Sequence, residues 1–345
     1  MNEKKNIINR RTFLQSTALT ASAFAIAPLQ TACTPTAKEE VGRSNFGGVE
    51  IGAITYSFRT MPTDAGSILL YSLTSGLGTL EMMGDVAENY AGRPIQTRLE
   101  LGPDLTPEQQ REAQAEARQK YNEDVSAWRI SVPMSKFEQL ARIYKMAGVN
   151  IHVIKIQPNL NMSDAELDYI FNVCKAVDAI GVSCELNLDV AKRVSPFAAK
   201  HGKYLLLHNH EQFADETFRL EPFLELENVR LNFDMAIYFG STGKDPREIV
   251  EKYHEKIITI HIKDYVAPGT PPPTNATGVG NPNNRIWGQG DTPLREFLLY
   301  IQSNAGKPGW PVHCDIELSY DIPEGSDAVI EVTRCLEFTK NILVK

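Results

Sequence analysis

Residues 258–264 have the sequence Ile-Thr-Ile-His-Ile-Lys-Asp, an apolar run that ends in side chains able to bind a metal or move a proton. Three further apolar runs end in the same way. They are Leu205-Leu206-Leu207-His208-Asn209-His210, Leu231-Asn232-Phe233-Asp234 and Asp315-Ile316-Glu317. Short apolar runs that alternate with helical patterns are typical of a parallel sheet covered by helices.

The whole chain contains about eight such runs, the number at which a parallel sheet closes into a barrel. The pattern predicts strands at residues 49–54, 79–83, 149–156, 182–186, 203–208, 229–234, 257–262 and 312–318. It predicts helices at residues 107–122, 164–180, 246–254 and 293–303. We therefore expect an α/β fold, a single-domain (β/α)8 TIM barrel that spans residues 48–345.

Two segments, residues 85–130 and 266–286, are longer than ordinary barrel connections. The second is rich in Pro, Gly and Asn and is too irregular to form a regular element. It follows the seventh strand, on the face where barrel active sites lie. We predict that it forms a rim or lid of the active site.

The first 33 residues have the pattern of an export signal, with a basic start, a short apolar core and small residues. Arg10-Arg11-Thr12-Phe13-Leu14 resembles a twin-arginine signal, and Thr31-Ala32-Cys33 resembles the end of a lipoprotein signal. Residues 34–47 then form a linker. The sequence thus predicts an exported protein, either periplasmic or lipid-anchored to the cell envelope through Cys33.

Composition narrows the range of partners. The formal net charge is −8 and the pI is about 5.5, which disfavours a nucleic-acid partner. The four cysteines after residue 33 have no CxxC spacing, and we expect them to be buried without an essential disulfide.

The carboxyl ends of consecutive parallel strands meet at one face of a barrel, so side chains far apart in sequence converge there. We predict that His208, Asp234, His261 and Glu317 hold one divalent metal ion. Imidazole and carboxylate donors suit Mn, Zn, Fe, Co or Mg, and the sequence does not choose among them.

The order of these residues, with His-Ile-Lys-Asp on the seventh strand, resembles the xylose isomerase-like family of sugar isomerases and epimerases, in an exported Bacteroidetes-type member. Trp287-Gly288-Gln289-Gly290-Asp291 is similar to the family's Gly-Gln-Gly-Asp segment, and residues 80–85 to its second strand. The resemblance covers roughly residues 48–340. It implies metal ligands in the order Glu, Asp, His, Glu, of which Asp234, His261 and Glu317 match.

Two positions depart from the family pattern. His208 stands where a Glu is usual, and Ile237 stands where many members have His. In the family's epimerases the first and last glutamates are both ligands and the two opposed proton-transfer groups. The substitution at His208 therefore puts the paired-carboxylate arrangement in doubt.

Candidate catalytic roles follow from the chemistry of enolisation. A base, either Glu317 or Glu185, would remove the proton beside a carbonyl, and His210 or Lys263 would donate a proton to an oxygen. Alternatively, Glu185 and His210 are hydrogen-bond partners of the site, and Lys263 forms an ion pair with Asp264. Candidate substrate contacts are Glu81, Trp287 and Gln289, although Trp287 also fits an ordinary core position.

Enolisation leads to epimerisation, isomerisation or elimination. Export disfavours phosphorylated substrates, and His208 removes one of the usual opposed carboxylates. We therefore predict a lyase or hydratase that acts on 3-keto-glycosides or derived keto-sugars, made by a companion sugar dehydrogenase. The alternatives are a sugar epimerase or isomerase and a non-catalytic sugar-binding lipoprotein. An endonuclease of the same fold would need further His ligands and a surface suited to DNA.

Overall fold

The computed structural model describes residues 43–96, 99, 105–271 and 280–344. The predicted export signal with Cys33, residues 34–42 of the predicted linker and residues 272–279 of the predicted lid lie outside this range. Within the described residues, no helix combines the length and the apolar character needed to cross a membrane.

Eight parallel strands form a closed barrel, which confirms the predicted fold. The strands are β1 (Val49–Ile54), β2 (Thr79–Met83), β3 (Asn150–Lys155), β4 (Gly181–Glu185), β5 (Tyr204–His208), β6 (Val229–Asp234), β7 (Ile257–Ile262) and β8 (His313–Ile316). Each strand pairs with its neighbours in sequence, and β8 pairs with β1 to close the ring. Four strands have the predicted bounds, and the others differ by one or two residues at an end.

Helices connect the strands and cover the outside of the barrel. They are α1 (Ala65–Ser75), α2 (Gly84–Ala91), α3 (Pro107–Ser131), α4 (Ser135–Met146), α5 (Asp164–Ala176), α6 (Leu188–His201), α7 (Glu221–Leu224), α8 (Met235–Thr242), α9 (Arg247–Tyr253), α10 (Leu294–Asn304) and α11 (Ala328–Leu343). Short 3-10 helices cover Thr55–Phe58, Glu211–Ala214 and His254–Lys256.

Local sequence signals explain where the helices begin and end. Ser163 caps α5 through a reciprocal hydrogen-bond pair with Glu166, and Thr106 caps α3 in the same way. The prediction that the α5 helix continues to residue 180 is wrong, because the chain turns at Asp178, whose φ is +60°. Helix α3 is longer than predicted and ends at Ser131 instead of residue 122.

The segment after β7 is less irregular than the sequence predicts. Asn284–Arg285 forms a two-residue antiparallel ladder with Asp264–Tyr265, directly after β7. Another short strand, Asn45–Phe46, pairs antiparallel with β1. The four described cysteines are free and buried, as expected for small apolar side chains.

The inside of the barrel contains a buried polar layer below the carboxyl ends of the strands. His152 Nε2 lies 2.9 Å from Asp315 Oδ2, and Thr259 Oγ1 donates to the same oxygen at 2.6 Å. Thr79 Oγ1 lies 2.8 Å from the other ring nitrogen of His152. The layer is tightly packed at β1, since a Cβ at Gly52 would lie 2.2 Å from Asp315 Oδ1. The carboxylate and imidazole therefore fill space that branched apolar side chains take in most barrels.

Candidate active site

Four side chains from consecutive strands converge at the carboxyl-terminal face of the barrel. His208 ends β5, Asp234 ends β6, His261 lies near the end of β7 and Glu317 follows β8. One donor atom from each lies within 4.8 Å of the corresponding atoms of the other three. The first three are buried, and the Glu317 side chain is 13% exposed. The structure thus brings together the four residues that the sequence predicts as metal ligands.

Lys263 lies between the two carboxylates of this cluster. Its ammonium is 2.6 Å from Asp234 Oδ2 and 3.0 Å from Glu317 Oε2. Although burial alone would lower the pKa of Lys263, the two carboxylates outweigh it and raise the pKa. Burial alone would raise the pKa of Glu317, but Lys263 and His261 hold it well below its usual value. The cluster is therefore a place where positive charge is strongly stabilised.

His261 is held from both sides of its ring. Its Nδ1 lies 2.7 Å from Glu317 Oε2, and its Nε2 lies 2.8 Å from Glu81 Oε2. Asn232 Nδ2 donates to the same Glu81 oxygen at 2.7 Å. Burial alone would lower the pKa of His261, but Glu81 and the two hydrogen bonds outweigh it and raise the pKa to about 10.

Glu81 lies deeper in the barrel than its predicted role requires. The sequence predicts it as a substrate contact, whereas the structure buries it completely, on the side of the His261 ring away from Glu317. A carboxylate in this position fixes the orientation and tautomer of a metal-binding imidazole. Glu81 is thus placed to orient His261.

His208 differs from His261 in its electrostatic environment. Its Nε2 lies 3.7 Å from Asp234 Oδ2 and 3.9 Å from Glu317 Oε2. Burial, together with the charges of Lys155 and His261, lowers the pKa of His208 well below its usual value. The imidazole is therefore neutral near pH 7, and a lone pair is free to bind a cation.

These residues fit a divalent metal. A metal-bound histidine must be neutral, as His208 is, and its partner histidine is oriented through the opposite ring nitrogen, as His261 is by Glu81. Two imidazoles and two carboxylates suit Zn, Mn, Fe or Co. The stabilisation of the Lys263 ammonium by Asp234 and Glu317 shows that these carboxylates favour a cation between them.

A second group of ionisable side chains lies beside the cluster, at the more exposed mouth of the barrel. His210 Nε2 is 2.5 Å from Glu185 Oε2, and Lys155 Nζ is 2.8 Å from Glu185 Oε1. The His210 ring stacks on His208 with centroids 5.1 Å apart. His210 is 53% and Glu185 is 39% exposed, so solvent and ligands reach this group.

The contact between His210 and Glu185 shifts the pKa values of the two side chains in opposite directions. The hydrogen bond to Glu185 raises the pKa of His210. Burial alone would raise the pKa of Glu185, but His210 and Lys155 outweigh it and lower the pKa to about 2. Glu185 thus makes the protonated form of His210 more stable than that of a free imidazole, and His210 can act as a proton donor.

Lys155 is a residue of this group that the sequence analysis does not predict. The signal was present, because His152-Val153-Ile154-Lys155 is an apolar run that ends in a charged side chain at the end of β3. It is the same pattern that identified the residues on the last four strands.

The two predicted substrate contacts after β7 lie in different surroundings. Trp287 is 8% exposed and packs edge-on against Phe338 of α11, with ring centroids 5.8 Å apart. This is the core position that the sequence left open as an alternative. Gln289 is exposed, and its backbone N–H donates to Ile286. Contact of either side chain with a substrate stays a prediction.

The Gly-Gln-Gly segment binds the carboxylate of Asp264. The backbone N–H groups of Gly288 and Gly290 donate to Asp264 Oδ2 at 2.7 and 2.9 Å. A Cβ at Gly290 would lie 2.2 Å from Asp264 Oδ1, and Gly288 has a φ of +87°. The alternative prediction that Lys263 pairs with Asp264 is wrong, because the Lys263 ammonium contacts Asp234 and Glu317 while Asp264 Oδ2 accepts from these backbone amides.

The sequence matches no protein-family model and no curated protein. Among solved structures, the chain is similar to a probable 3-DHS dehydratase involved in petrobactin synthesis from Bacillus anthracis. The TM-score is 0.55 at 13% identity, over 84% of this chain and 97% of that one.

Two further structures show the same likeness. A 3-keto-D-glucoside 4-epimerase from E. coli gives a TM-score of 0.52 at 12% identity, over 85% of this chain and 99% of that one. A sugar phosphate isomerase/epimerase from Parabacteroides distasonis gives 0.51 at 14% identity, over 84% and 95%. The structural neighbours are xylose isomerase-like TIM-barrel proteins. Because the sequence identities are this low, the likeness shows that the chain shares their fold and nothing finer.

Proposed function

We propose that this protein is a divalent-metal-dependent enzyme that removes the proton beside a carbonyl of an unphosphorylated keto-sugar. The observation that carries the proposal is the convergence of His208, Asp234, His261 and Glu317 beside the contact between His210 and Glu185. A metal bound there would polarise the carbonyl as a Lewis acid and acidify the neighbouring C–H bond. The similarity to a probable dehydratase and to epimerases supports a reaction of this kind.

We further propose that the reaction is an elimination or its reverse, a hydration. On a 3-keto-glycoside, Glu317 takes the proton from C2, and the C–H electron pair forms the C1–C2 double bond. The bond from C1 to the leaving oxygen breaks, and His210 gives that oxygen its proton. The products are a conjugated enone and a free alcohol, and addition of water to C1 in the opposite sense is the hydration.

The division of roles follows from contacts. Glu317 is the more exposed carboxylate of the cluster, whereas Asp234 is fully buried. Both oxygens of Glu185 have cationic partners, so Glu185 is better placed to keep His210 charged than to accept a proton from carbon. Since a 3-keto-glycoside arises by oxidation at C3, a sugar dehydrogenase would supply the substrate. Export and lipid attachment at Cys33 stay predictions.

Epimerisation is the second candidate. It is favoured by the likeness to the structures of a 3-keto-D-glucoside 4-epimerase and a D-psicose 3-epimerase. It requires that the group on the His210 side returns a proton to carbon instead of to oxygen. A non-catalytic sugar-binding protein is the third reading, and the site described above gives it no specific support.

One NMR experiment distinguishes these functions. The metal-loaded protein is incubated in deuterated water with free ketoses and, separately, with 3-keto-glycosides. Release of the aglycone with an enone or its hydrate supports elimination or hydration. Deuterium incorporation with a new stereoisomer and no bond cleavage would instead support the epimerase. Inertness toward both substrates, with metal bound, would contradict the proposed substrate class.

A further inference from the structure

Lys263 and a metal ion would need the same two oxygen atoms. The Lys263 ammonium contacts Asp234 Oδ2 and Glu317 Oε2. These are also the carboxylate oxygens that face His208 Nε2, at 3.7 and 3.9 Å. Two cations bound to the same pair of buried oxygens repel each other, since little water is present to screen them.

The distances make this repulsion large. Metal–oxygen bonds are about 2.0–2.2 Å long. If the ammonium kept its 2.6 Å contact with Asp234 Oδ2, it would lie within about 4.8 Å of a metal bound to that oxygen. The Lys263 side chain is 5% exposed, so the two charges would meet in a nearly dry environment. A flexible four-carbon stem, however, lets a lysine ammonium move without disturbing the backbone.

We propose that Lys263 is a built-in competitor for the metal, so that metal binding displaces its ammonium from Asp234 and Glu317. The inference rests on the proposed metal-dependent function and adds a role for Lys263 within it. Lys263 stabilises the two buried carboxylates until a metal replaces it, and it thereby lowers the affinity of the centre. The displaced ammonium would then be free for the proton-donor role that the sequence analysis gives Lys263 as a candidate.

Lys155 provides a matched control. It is also a mostly buried lysine at a strand end near the cluster, with a side chain that is 15% exposed. Its ammonium pairs with Glu185 at 2.8 Å, away from the two shared oxygens. Lys155→Met therefore removes the same charge from the mouth of the barrel without removing the competitor.

The test measures Mn²⁺ affinity by isothermal titration calorimetry on the purified chain and on both variants. We expect Lys263→Met to bind Mn²⁺ at least about tenfold more tightly than the unaltered protein. Lys155→Met should change the affinity by less than Lys263→Met does, because its ammonium pairs with Glu185 and not with the two shared oxygens. Equal or weaker binding by Lys263→Met would overturn the inference while leaving the proposed function in place. Failure of all three proteins to bind Mn²⁺ would overturn both.

A second measurement covers the case in which Lys263→Met folds poorly without a cation. Lys263→Gln keeps hydrogen-bond donors near the carboxylates but removes the charge. Mn²⁺ should raise the melting temperature of Lys263→Gln by more than it raises that of the unaltered protein, because the metal alone then neutralises Asp234 and Glu317. An equal metal-induced rise in both proteins would contradict the competition.

Discussion

Metal binding at this centre should release a proton from His261. Without a metal, Glu317 and Glu81 face the two ring nitrogens and raise the His261 pKa to about 10. A metal that binds Nδ1 must replace the proton there, because only the lone pair of a neutral imidazole is a ligand. Between pH 7 and pH 9 the association constant should therefore rise about tenfold per pH unit. At pH 7, which is about three units below this pKa, removing the proton makes metal binding about 4 kcal/mol less favourable, since each pKa unit is worth about 1.4 kcal/mol.

Calorimetry measures this proton directly. Titrations of Mn²⁺ in buffers with different ionisation enthalpies should show about one proton released per metal near pH 8. Glu81→Gln removes the charge that faces Nε2 and lowers the His261 pKa, so it should release fewer protons at the same pH. His201→Asn is the matched control, because His201 pairs with Asp168 at 2.8 Å on the outer helices.

One result would refute the prediction that metal binding displaces a proton from His261. If the unaltered protein released no proton and its metal affinity were the same at pH 7 and pH 9, His261 would not be a cation in the metal-free protein. The contacts of His261 with Glu81 and Glu317 would then not control metal binding. A change in His201→Asn as large as that in Glu81→Gln would point to a general electrostatic effect instead.

Three further predictions concern the acid, the loop after β7 and the barrel interior. His210→Asn should lower kcat by about 10²–10⁴ while leaving the Mn²⁺ affinity unchanged, which initial rates and calorimetry on the same samples would check. Gly290→Ala should lower the free energy of unfolding by about 1–3 kcal/mol or more, because its Cβ would lie 2.2 Å from Asp264 Oδ1. Urea denaturation measures this, and an unchanged midpoint would show that the loop accommodates the methyl group. His152→Ala removes the partner of buried Asp315 and should cost about 3–5 kcal/mol in the same assay, and a loss below about 1 kcal/mol would contradict the ion pair.

The fold and the four-residue cluster could be predicted from the sequence because both depend on short-range patterns. An apolar run identifies a buried strand, and the polar residue at its end identifies a position on the carboxyl-terminal face. Closure of the barrel then brings together the four ends that carry His208, Asp234, His261 and Glu317, wherever they stand in the sequence.

The partners of each side chain could not be predicted in the same way. Lys263 is adjacent to Asp264 in sequence, yet it pairs with Asp234 and Glu317, because successive residues at a strand end point to different sides. Asp264 instead faces the backbone amides of a loop that begins more than 20 residues later. Such pairings depend on side-chain direction and loop geometry, which apolar periodicity does not encode.

The proposed elimination and the alternative epimerisation differ in what they require of His210. An epimerase takes a proton from carbon on one face and returns one to the same carbon on the other, which requires a second group that accepts and donates with similar ease. Here the cluster has Glu317 on one side, while the side near His208 presents His210, whose pKa Glu185 raises. A raised pKa favours the protonated imidazole, which can donate a proton to an oxygen that leaves with negative charge and cannot accept one from carbon. If His210 is replaced by Asn, elimination should slow most for glycosides with poorly leaving alcohols and least for those with acidic phenols, because only the former depend on the donated proton. Equal slowing for both leaving groups would show that His210 acts on carbon, and would favour epimerisation.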